Sequence, residues 1–359
     1  MIDVSTSMRK YDFHEKGDID FVASVSKVNR AQFEDLTASL EELGLVETGL
    51  NRLMFCPLTA SKGTEETIHS LSKSYDINVA CDSGGYESQI GDEYSMRDIY
   101  QFDREYYRNN DWPDELVLPD QVPIGDDDPE TIEHKVQDTI SLARMLYQEL
   151  DQAKQKKAVP VIQGHTKEQV VACLDAYSEL EHVNKVGFGS FSTGGVNGGV
   201  NYLTKDNIEL LQFVVKEARK HDLKVHAFGV GGPTSLPILY QCGVDTFDST
   251  GWMRSGGYGN VFFPFKSRYN ITHQRDRSGP TVYQEEIREL QQETGHKCPF
   301  CESFDQLQES RLYRILHNLL VMKEMTTKVK ELDVPELLSI MNPNSRYTGY
   351  LEEMANPRL

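Results

Sequence analysis

Short apolar segments alternate along this chain with longer segments whose apolar residues recur at helical spacing. The apolar runs at residues 53–57, 77–81, 116–119, 158–162, 185–188, 223–228 and 244–247 predict buried strands. Helical spacing predicts helices over residues 31–43, 65–74, 129–153, 168–180, 205–221 and 236–241. A strand–loop–helix unit that repeats about seven times is typical of an α/β protein with a parallel sheet.

Residues suited to ligand binding lie at or just past the C-terminal ends of these strands. They are Asp82, Asp120, Gln163, Gly187, Phe228 and Asp248. In a closed barrel these ends form one ring around one pocket, whereas in an open doubly wound sheet only those near the switch point would share a site. We therefore expect a (β/α)8 TIM-type barrel over residues 1–285, in which residues 1 to about 50 are a mixed lead-in. Residues 286–359, which contain the closely spaced cysteines Cys298 and Cys301, are expected to form a zinc-binding subdomain and C-terminal helices.

Charge and cysteine content narrow the class of protein. The net charge of −19 argues against a broadly basic surface, so nucleic-acid binding would need a local basic patch. No apolar run approaches the roughly 20 residues of a membrane span, and the N-terminus lacks the apolar core of a secretory signal. The six cysteines are sparse, which indicates a reducing compartment. We therefore expect a cytoplasmic protein without membrane contact.

A pair of nearby cysteines predicts a metal site. Cys298 and Cys301 form a Cys-x-x-Cys motif, His296 precedes it, and His317 follows on a predicted helix. Two thiolates and two imidazoles are the donor set that tetrahedral zinc prefers, and four protein ligands leave no open position, which is typical of a structural site. The alternative is a chance cysteine pair with His317 on an ordinary helix face.

Two acids, Asp245 and Asp248, close the last predicted strand, and Arg254 and a glycine-rich turn at residues 255–259 follow. An acid that leaves a barrel strand can be a nucleophile or general base, but an acid in that position more often caps a helix or forms a turn. By themselves these residues leave the choice open. We assign His165, His226 and Cys242 to packing.

Three glycine-rich segments also admit two interpretations each. The Asp82-Ser-Gly-Gly-Tyr86 segment lets backbone approach a ligand and places an aromatic beside it, or it is a simple turn. Residues 187–200 suit a cradle for a phosphate or base, or a flexible loop. Residues 229–233 suit an anion site or the start of a helix.

In their order along residues 50–325, these motifs resemble the tRNA-guanine transglycosylase superfamily, which exchanges guanine in nucleic acid for a 7-deazaguanine. The resemblance implies that Asp248 is the nucleophile, Asp82 the general acid/base and Asp245 a supporting residue. It implies substrate contacts from Ser83, Tyr86, Asp120, Gln163, Gly187, Gly189, Phe228 and Gly229. It also implies that His296, Cys298, Cys301 and His317 bind a structural Zn²⁺.

The chemistry agrees with these roles. Displacing guanine leaves an oxocarbenium-like sugar that a carboxylate can trap covalently, as in retaining glycoside hydrolysis. A second carboxyl then carries the proton of the departing and entering base. Tyr86 and Phe228 would hold a flipped-out base between them, and Asp120, Gln163 and loop amides would bind its polar edge.

The chain departs from the tRNA enzymes at the first metal ligand, where His296 replaces a cysteine, in residues 249–253, and in the loop at residues 190–200. These departures favour the branch that inserts 7-cyano-7-deazaguanine into DNA, so DNA is preferred over tRNA as the acceptor and a free 7-deazaguanine base is the second partner. Predicted phosphate contacts are Arg254, Lys266, Arg268, Arg275 and Arg277, although the segment 262–277 also suits an ordinary charged loop.

Further alternatives stay open at this point. They are a tRNA acceptor, a non-catalytic accessory subunit, and a hydrolase that releases a deazaguanine from a nucleoside. The presence of both Asp82 and Asp248 argues against the accessory subunit, which needs neither. Protein partners and a homo-oligomer are also left open.

Overall fold

A parallel β-barrel surrounded by helices forms the body of the protein. The computed structural model describes residues 18–26, 28–87, 94–194, 200–273 and 279–355. Its main sheet has nine strands in the order β5-β4-β3-β2-β1-β11-β10-β7-β6, and every neighbouring pair is parallel. The two end strands, β5 and β6, are successive pieces of one segment interrupted at Pro160. That segment pairs with β4 on one side and β7 on the other, so it closes the barrel, and the predicted (β/α)8 class is confirmed.

The elements follow in alternation along the chain. The barrel strands are β1 Asp20–Ser24, β2 Arg52–Phe55, β3 Asn78–Cys81, β4 Glu115–Val117, β5 Ala158–Val159, β6 Val161–Ile162, β7 Lys185–Phe188, β10 Lys224–Ala227 and β11 Thr246–Ser249. Two antiparallel hairpins are added, β8 Ser192–Gly194 with β9 Val200–Tyr202, and β12 Asn260–Phe262 with β13 Arg268–Asn270. The predicted glycine-rich loop at residues 187–200 therefore contains the first strand of a hairpin and ends where the second strand begins, and residues 195–199 lie outside the described residues.

The helices of the first half are α1 Arg30–Glu42, α2 Val46–Leu50, α3 Lys62–Ser74, α4 Met96–Asn109, α5 Pro129–Glu149 and α6 Gln152–Gln155. Those of the second half are α7 Lys167–Ser178, α8 Lys205–Arg219, α9 Leu236–Gln241, α10 Gly251–Gly257, α11 Gln284–Thr294, α12 Phe304–Glu309, α13 Arg311–Glu331, α14 Val334–Ile340 and α15 Arg346–Ala355. In the described part of the chain, none of these helices has the length and apolar character needed to cross a membrane.

The predicted lead-in supplies the eighth barrel strand. Strand β1 pairs with both β2 and β11, so it sits between the start and the end of the barrel. Its apolar residues lie close to the N-terminus without a preceding strand–helix unit, so sequence pattern alone did not distinguish it. Helix α4 was also missed; its buried face is not purely apolar, because it includes Asp103 alongside Ile99, Tyr100 and Tyr107.

The barrel interior is charged at its N-terminal end and apolar in the middle. At the charged end Arg52 Nε lies 2.8 Å from Asp20 Oδ2, and Lys185 Nζ lies 2.7 Å from Glu115 Oε2. Val22, Met54 and Ala80 form a small buried cluster separate from the main core, with Phe228 against it. The opposite charges at the N-terminal end of the barrel pair with each other, so each of these buried charges has a partner. The C-terminal end of the barrel holds the cavity.

Helix α13 anchors the C-terminal segment to the barrel. Its Lys323 ammonium donates hydrogen bonds to the Phe21 carbonyl of β1 and to Asn51. Residues 255–257, predicted as part of a turn, belong to α10, and the absence of a side chain at Gly256 lets α10 approach α13: a Cβ there would lie 2.7 Å from the Ile315 nitrogen. A domain boundary near residue 285 stays a prediction.

Candidate active site and metal centre

The side chain of Asp248 lies at the C-terminal end of β11, 5% exposed, inside a cavity of about 520 Å³ at the mouth of the barrel. The Gly229 amide donates to its Oδ1 at 2.6 Å, and His226 Nε2 lies 3.2 Å from the same oxygen. Among the described residues no hydrogen-bond partner occupies Asp248 Oδ2. One carboxylate oxygen is therefore held while the other is available to a ligand.

Asp245 is tied to the outside of the barrel. The Nη2 atom of Arg219 lies 2.8 Å from both of its carboxylate oxygens, and the Val225 amide donates to Oδ2 at 2.7 Å. Asp245 and Asp248 are three positions apart along an extended segment, and an odd offset places their side chains on opposite faces. Asp245 consequently links α8 to β10 through these contacts. Of the two acids, Asp248 is the one that lines the cavity.

Asp82 follows β3 and lines the same cavity. Burial, together with smaller contributions from the nearby carboxyl groups of Asp120 and Asp248, raises the pKa of its carboxyl to about 8. Because the charged form is disfavoured, Asp82 holds a proton at neutral pH. The cavity thus combines a proton-carrying acid with a second acid whose carboxylate is held by N–H groups.

A hydrogen-bonded network joins the predicted base-binding residues. Gln163 Nε2 donates to Asp120 Oδ2 at 2.6 Å, and Ser83 Oγ donates to Asp120 Oδ1 at 3.1 Å. Ser190 Oγ donates to Gln163 Oε1 at 2.6 Å and accepts from the Gly164 amide at 2.7 Å. Burial raises the pKa of Asp120 to about 6, although the bonds from Gln163 and Ser83 oppose that rise. The network fixes the orientation of the amide and carboxylate before a ligand arrives.

Two aromatic side chains, Tyr86 and Phe228, line the cavity. Phe228 packs where Gly187 has no side chain, because a Cβ at Gly187 would lie 1.9 Å from the ring. Gly187 therefore supports the aromatic and is not itself part of the lining, whereas Gly189 lines the cavity beside Gln163. The cavity volume falls within the range of small-molecule pockets.

The predicted phosphate contacts separate into three groups. Arg254 is exposed and lines the cavity, and Arg268 is exposed on β13. Lys266 is 7% exposed and forms an ion pair with Glu293, so its predicted phosphate contact disagrees with its position. Arg275 and Arg277 lie outside the described residues.

The four predicted metal ligands come together. The donor atoms of His296, Cys298, Cys301 and His317 all lie within 4.8 Å of one another, and all four residues are buried. Cys298 Sγ lies 3.4 Å from both Cys301 Sγ and His317 Nδ1. Hydrogen bonds, the strongest from Cys298, hold the pKa of the Cys301 thiol well below its usual value. This cluster could hold a metal ion.

The outer contacts of the two histidines also fit a metal. His296 Nδ1 bonds to the Glu324 carboxylate, and its buried Nε2 has no hydrogen-bond partner in the described structure. His317 Nε2 lies 2.8 Å from the Phe262 carbonyl oxygen, which leaves Nδ1 directed at Cys298. A histidine that binds a metal through one ring nitrogen commonly donates a hydrogen bond from the N–H of the other. One nitrogen of each ring is therefore directed to the cluster.

Sequence interpretation missed two residues of the cavity network, His226 and Ser190. His226 was assigned to packing, although it shares the strand parity of Phe228 and so faces the barrel interior. Ser190 follows Gly189 in a segment treated only as glycine-rich. Strand parity could have identified His226, but its contact with Asp248 depends on the neighbouring strand.

Comparison with known proteins places these features in a family. A family model described as queuine tRNA-ribosyltransferase matches residues 110–332, more than half of the chain. A tRNA-guanine(15) transglycosylase of Nanoarchaeum equitans (strain Kin4-M) is 27% identical over 207 residues, which cover 56% of this chain and 46% of the relative. The matched part thus spans about half the length of that relative. Asp120, Asp248 and the metal cluster lie within the matched family range, whereas Asp82 precedes it.

Proposed function

The chain belongs to the queuine tRNA-ribosyltransferase family, and from that premise we propose that it is a pentosyltransferase which exchanges guanine in a nucleic acid for a guanine-like free base. One observation carries the proposal: Asp248, with one oxygen held and the other available, shares a cavity with Asp82, whose pKa is raised to about 8. Covalent base exchange requires one carboxyl that forms the ester with the sugar and a second that carries the proton of the base.

In the first half of the reaction, Asp248 Oδ2 attacks C1′ of the target nucleoside and the bond from C1′ to guanine breaks. The electron pair of that bond goes to the guanine nitrogen, which takes the proton held by Asp82. In the second half, the entering base gives its proton to the Asp82 carboxylate and its nitrogen attacks C1′. The C1′–Oδ2 bond breaks and its electron pair returns to Asp248.

The remaining lining residues bind the base in this scheme. Asp120 accepts hydrogen bonds from N–H groups of a guanine-like edge, and Gln163 presents an amide fixed by Ser190. Tyr86 and Phe228 supply aromatic surface for the two faces of a base withdrawn from its stack. Ser83 holds Asp120 from the other side.

The nature of the acceptor is the finer part of the proposal. The descriptions of the matching family and of the archaeal relative both name tRNA, which supports a tRNA acceptor. The departure of residues 249–253 from the tRNA enzymes' pattern supports DNA, with 7-cyano-7-deazaguanine as the entering base. These residues lead from Asp248 into α10, which carries Arg254 to the edge of the cavity. We keep DNA as the preferred acceptor and tRNA as the alternative.

We further propose that the metal cluster binds Zn²⁺. Two thiols and two imidazole nitrogens are the donor set of structural zinc sites, and the unpartnered Nε2 of His296 fits a ligand position. Next to His317 on α13, Asn318 accepts from the Phe262 amide at 2.7 Å and donates to the Trp252 carbonyl at 3.0 Å. Zinc would thereby stabilise the attachment of α10 and β12, the elements that follow the nucleophile.

Labelled guanine exchange tests the activity and the acceptor together. The protein is incubated with labelled guanine and either duplex DNA or tRNA, and incorporation is measured. Incorporation into DNA supports the preferred acceptor, and incorporation into tRNA alone overturns it while keeping the exchange activity. Incorporation into neither, by folded and metal-loaded protein, contradicts base exchange and favours the accessory subunit or the nucleoside hydrolase.

The nucleophile has a matched control in Asp245. We expect Asp248→Asn to abolish the denaturation-resistant adduct between protein and nucleic acid, because an amide does not form the ester. Asp245→Asn should keep the adduct, since that side chain faces Arg219 outside the cavity. An undiminished adduct in Asp248→Asn would move the nucleophile to another residue.

A further inference from the structure

His226 occupies the barrel interior directly below the candidate nucleophile. It is 1% exposed on β10, and its Nδ1 lies 2.8 Å from Thr246 Oγ1 while its Nε2 lies 3.2 Å from Asp248 Oδ1. Thr246 and Asp248 are alternate residues of β11, so both face the ring from one strand. The imidazole therefore bridges the two side chains.

The partners of the ring determine its tautomer. A carboxylate oxygen only accepts hydrogen bonds, so Nε2 must carry the proton that it shares with Asp248. Nδ1 is then the acceptor, and the Thr246 hydroxyl donates to it. The nearby charges of Lys185 and Glu115 are paired with each other at 2.7 Å, and burial lowers the pKa of His226. The ring is accordingly neutral, with its single N–H directed at Asp248.

We propose that His226, oriented by Thr246, is a positioning residue that stabilises the departing carboxylate of Asp248 when the covalent intermediate breaks down. This inference rests on the proposed base exchange. As the entering nitrogen bonds to C1′ and the C1′–Oδ2 bond breaks, the electron pair returns to Asp248 and negative charge spreads over both oxygens. The N–H groups of His226 and Gly229 both meet that charge at Oδ1.

The role predicts a specific change in equilibrium. Hydrogen bonds to a charged group are stronger than those to a neutral group, so the two donors favour the free carboxylate over the ester. Removing the His226 donor should therefore shift enzyme into the covalent adduct, by about tenfold in the ratio of adduct to free enzyme. A residue that only fills space would lower the adduct or leave it unchanged when replaced.

The experiment measures the adduct against competing free base. Each variant is incubated with the nucleic acid that the wild type accepts and with graded free guanine, then quenched in denaturant to measure the adduct fraction. The variants are His226→Leu, His226→Gln, Thr246→Val, Thr246→Ser and the double variant Thr246→Val/His226→Leu. Melting temperature and bound metal are measured for each, so that a folding defect is recognised.

We expect His226→Leu to raise the guanine concentration that halves the adduct by about tenfold. His226→Gln, which keeps an N–H donor, should restore most of the wild-type value. Thr246→Val should raise the midpoint by a smaller factor, because without the hydroxyl the ring can also adopt the tautomer that carries its proton on Nδ1. Thr246→Ser keeps the hydroxyl and should leave the midpoint unchanged. In the double variant the Thr246 change should add nothing, since it acts only through the ring.

If folded His226→Leu has an unchanged or lower guanine midpoint, the inference about His226 is wrong. Base exchange itself is still supported in that case, provided that the wild type forms the adduct. If His226→Leu does not fold, Thr246→Val decides, and an unchanged midpoint there refutes the orienting role. If the wild type forms no adduct with either nucleic acid, the proposed function fails and the role of His226 fails with it.

Discussion

The pH dependence of adduct formation gives a quantitative test of the acid at Asp82. Burial raises the pKa of this carboxyl to about 8, with Asp120 and Asp248 adding to the rise. If the protonated form delivers the proton to leaving guanine, the active fraction falls from about nine-tenths at pH 7 to about one-tenth at pH 9. The rate of adduct formation should therefore fall about tenfold over that interval.

A second limb follows from Asp120, whose pKa is raised to about 6 by burial. Its ionised form accepts hydrogen bonds from the base, and about one-tenth of it is ionised at pH 5, so the rate should also fall about tenfold from pH 7 to pH 5. The expected profile is a bell between about 6 and 8. Because Asp82 and Asp120 are neighbouring carboxyls, the two apparent pKa values of the profile describe the pair of groups and not each residue alone.

The assay is single-turnover formation of the denaturation-resistant adduct, with enzyme in excess over labelled nucleic acid, from pH 5 to pH 9.5. Asp245→Asn is the control, since that side chain lies outside the cavity and should leave both limbs in place. A rate that falls about a hundredfold between pH 7 and pH 9 would indicate an ordinary carboxyl at Asp82, because its protonated fraction would then drop tenfold per pH unit across that interval. That result would refute the assignment of a neutral acid in the cavity.

Three further expectations concern the cavity, the packing and the metal. Phe228→Ala should weaken binding of the free base by about 1–3 kcal/mol, measured as the KM for guanine, and an unchanged KM would remove the ring from base stacking. Gly256→Ala should destabilise the fold by about 1–3 kcal/mol, because the added Cβ would meet the backbone of α13. Gly257→Ala is the control, since its Cβ would meet only a side chain, at 3.4 Å. Equal melting temperatures for the two variants would contradict this expectation. Cys298→Ser should lose bound zinc and lower the melting temperature, and full metal retention by elemental analysis would exclude Cys298 as a ligand.

Local pattern carried much of the fold. Apolar runs and helical spacing located seven barrel segments within a few residues, because burial of a parallel strand on both faces leaves a continuous apolar stretch. The same pattern put Asp82, Asp120, Gln163 and Asp248 at strand ends, and the barrel then placed all four around one cavity. The Cys-x-x-Cys motif and the two histidines likewise foretold the cluster that could hold a metal.

Long-range contacts set what the pattern left undetermined. Strand β1 gains its place by pairing with β11, more than 220 residues away, and nothing local announces that partner. Lys266 belongs to a basic segment in the sequence, yet in the folded protein it is buried and forms an ion pair with Glu293. Charge composition reports how many cations a segment has, but their exposure depends on which element packs against them.

The two acids Asp245 and Asp248 show this division most clearly. Sequence pattern alone located two acids at the end of the last predicted strand, and the family resemblance singled out Asp248. The contacts that distinguish the two acids exist only in the folded protein: Arg219 and the Val225 amide engage Asp245 on the outer face, while His226 and the Gly229 amide hold Asp248 within the barrel. These partners come from β10 and its flanking segments, more than 15 residues away in the chain, and a hydrogen bond between neighbouring strands has no signature in the order of residues along either one.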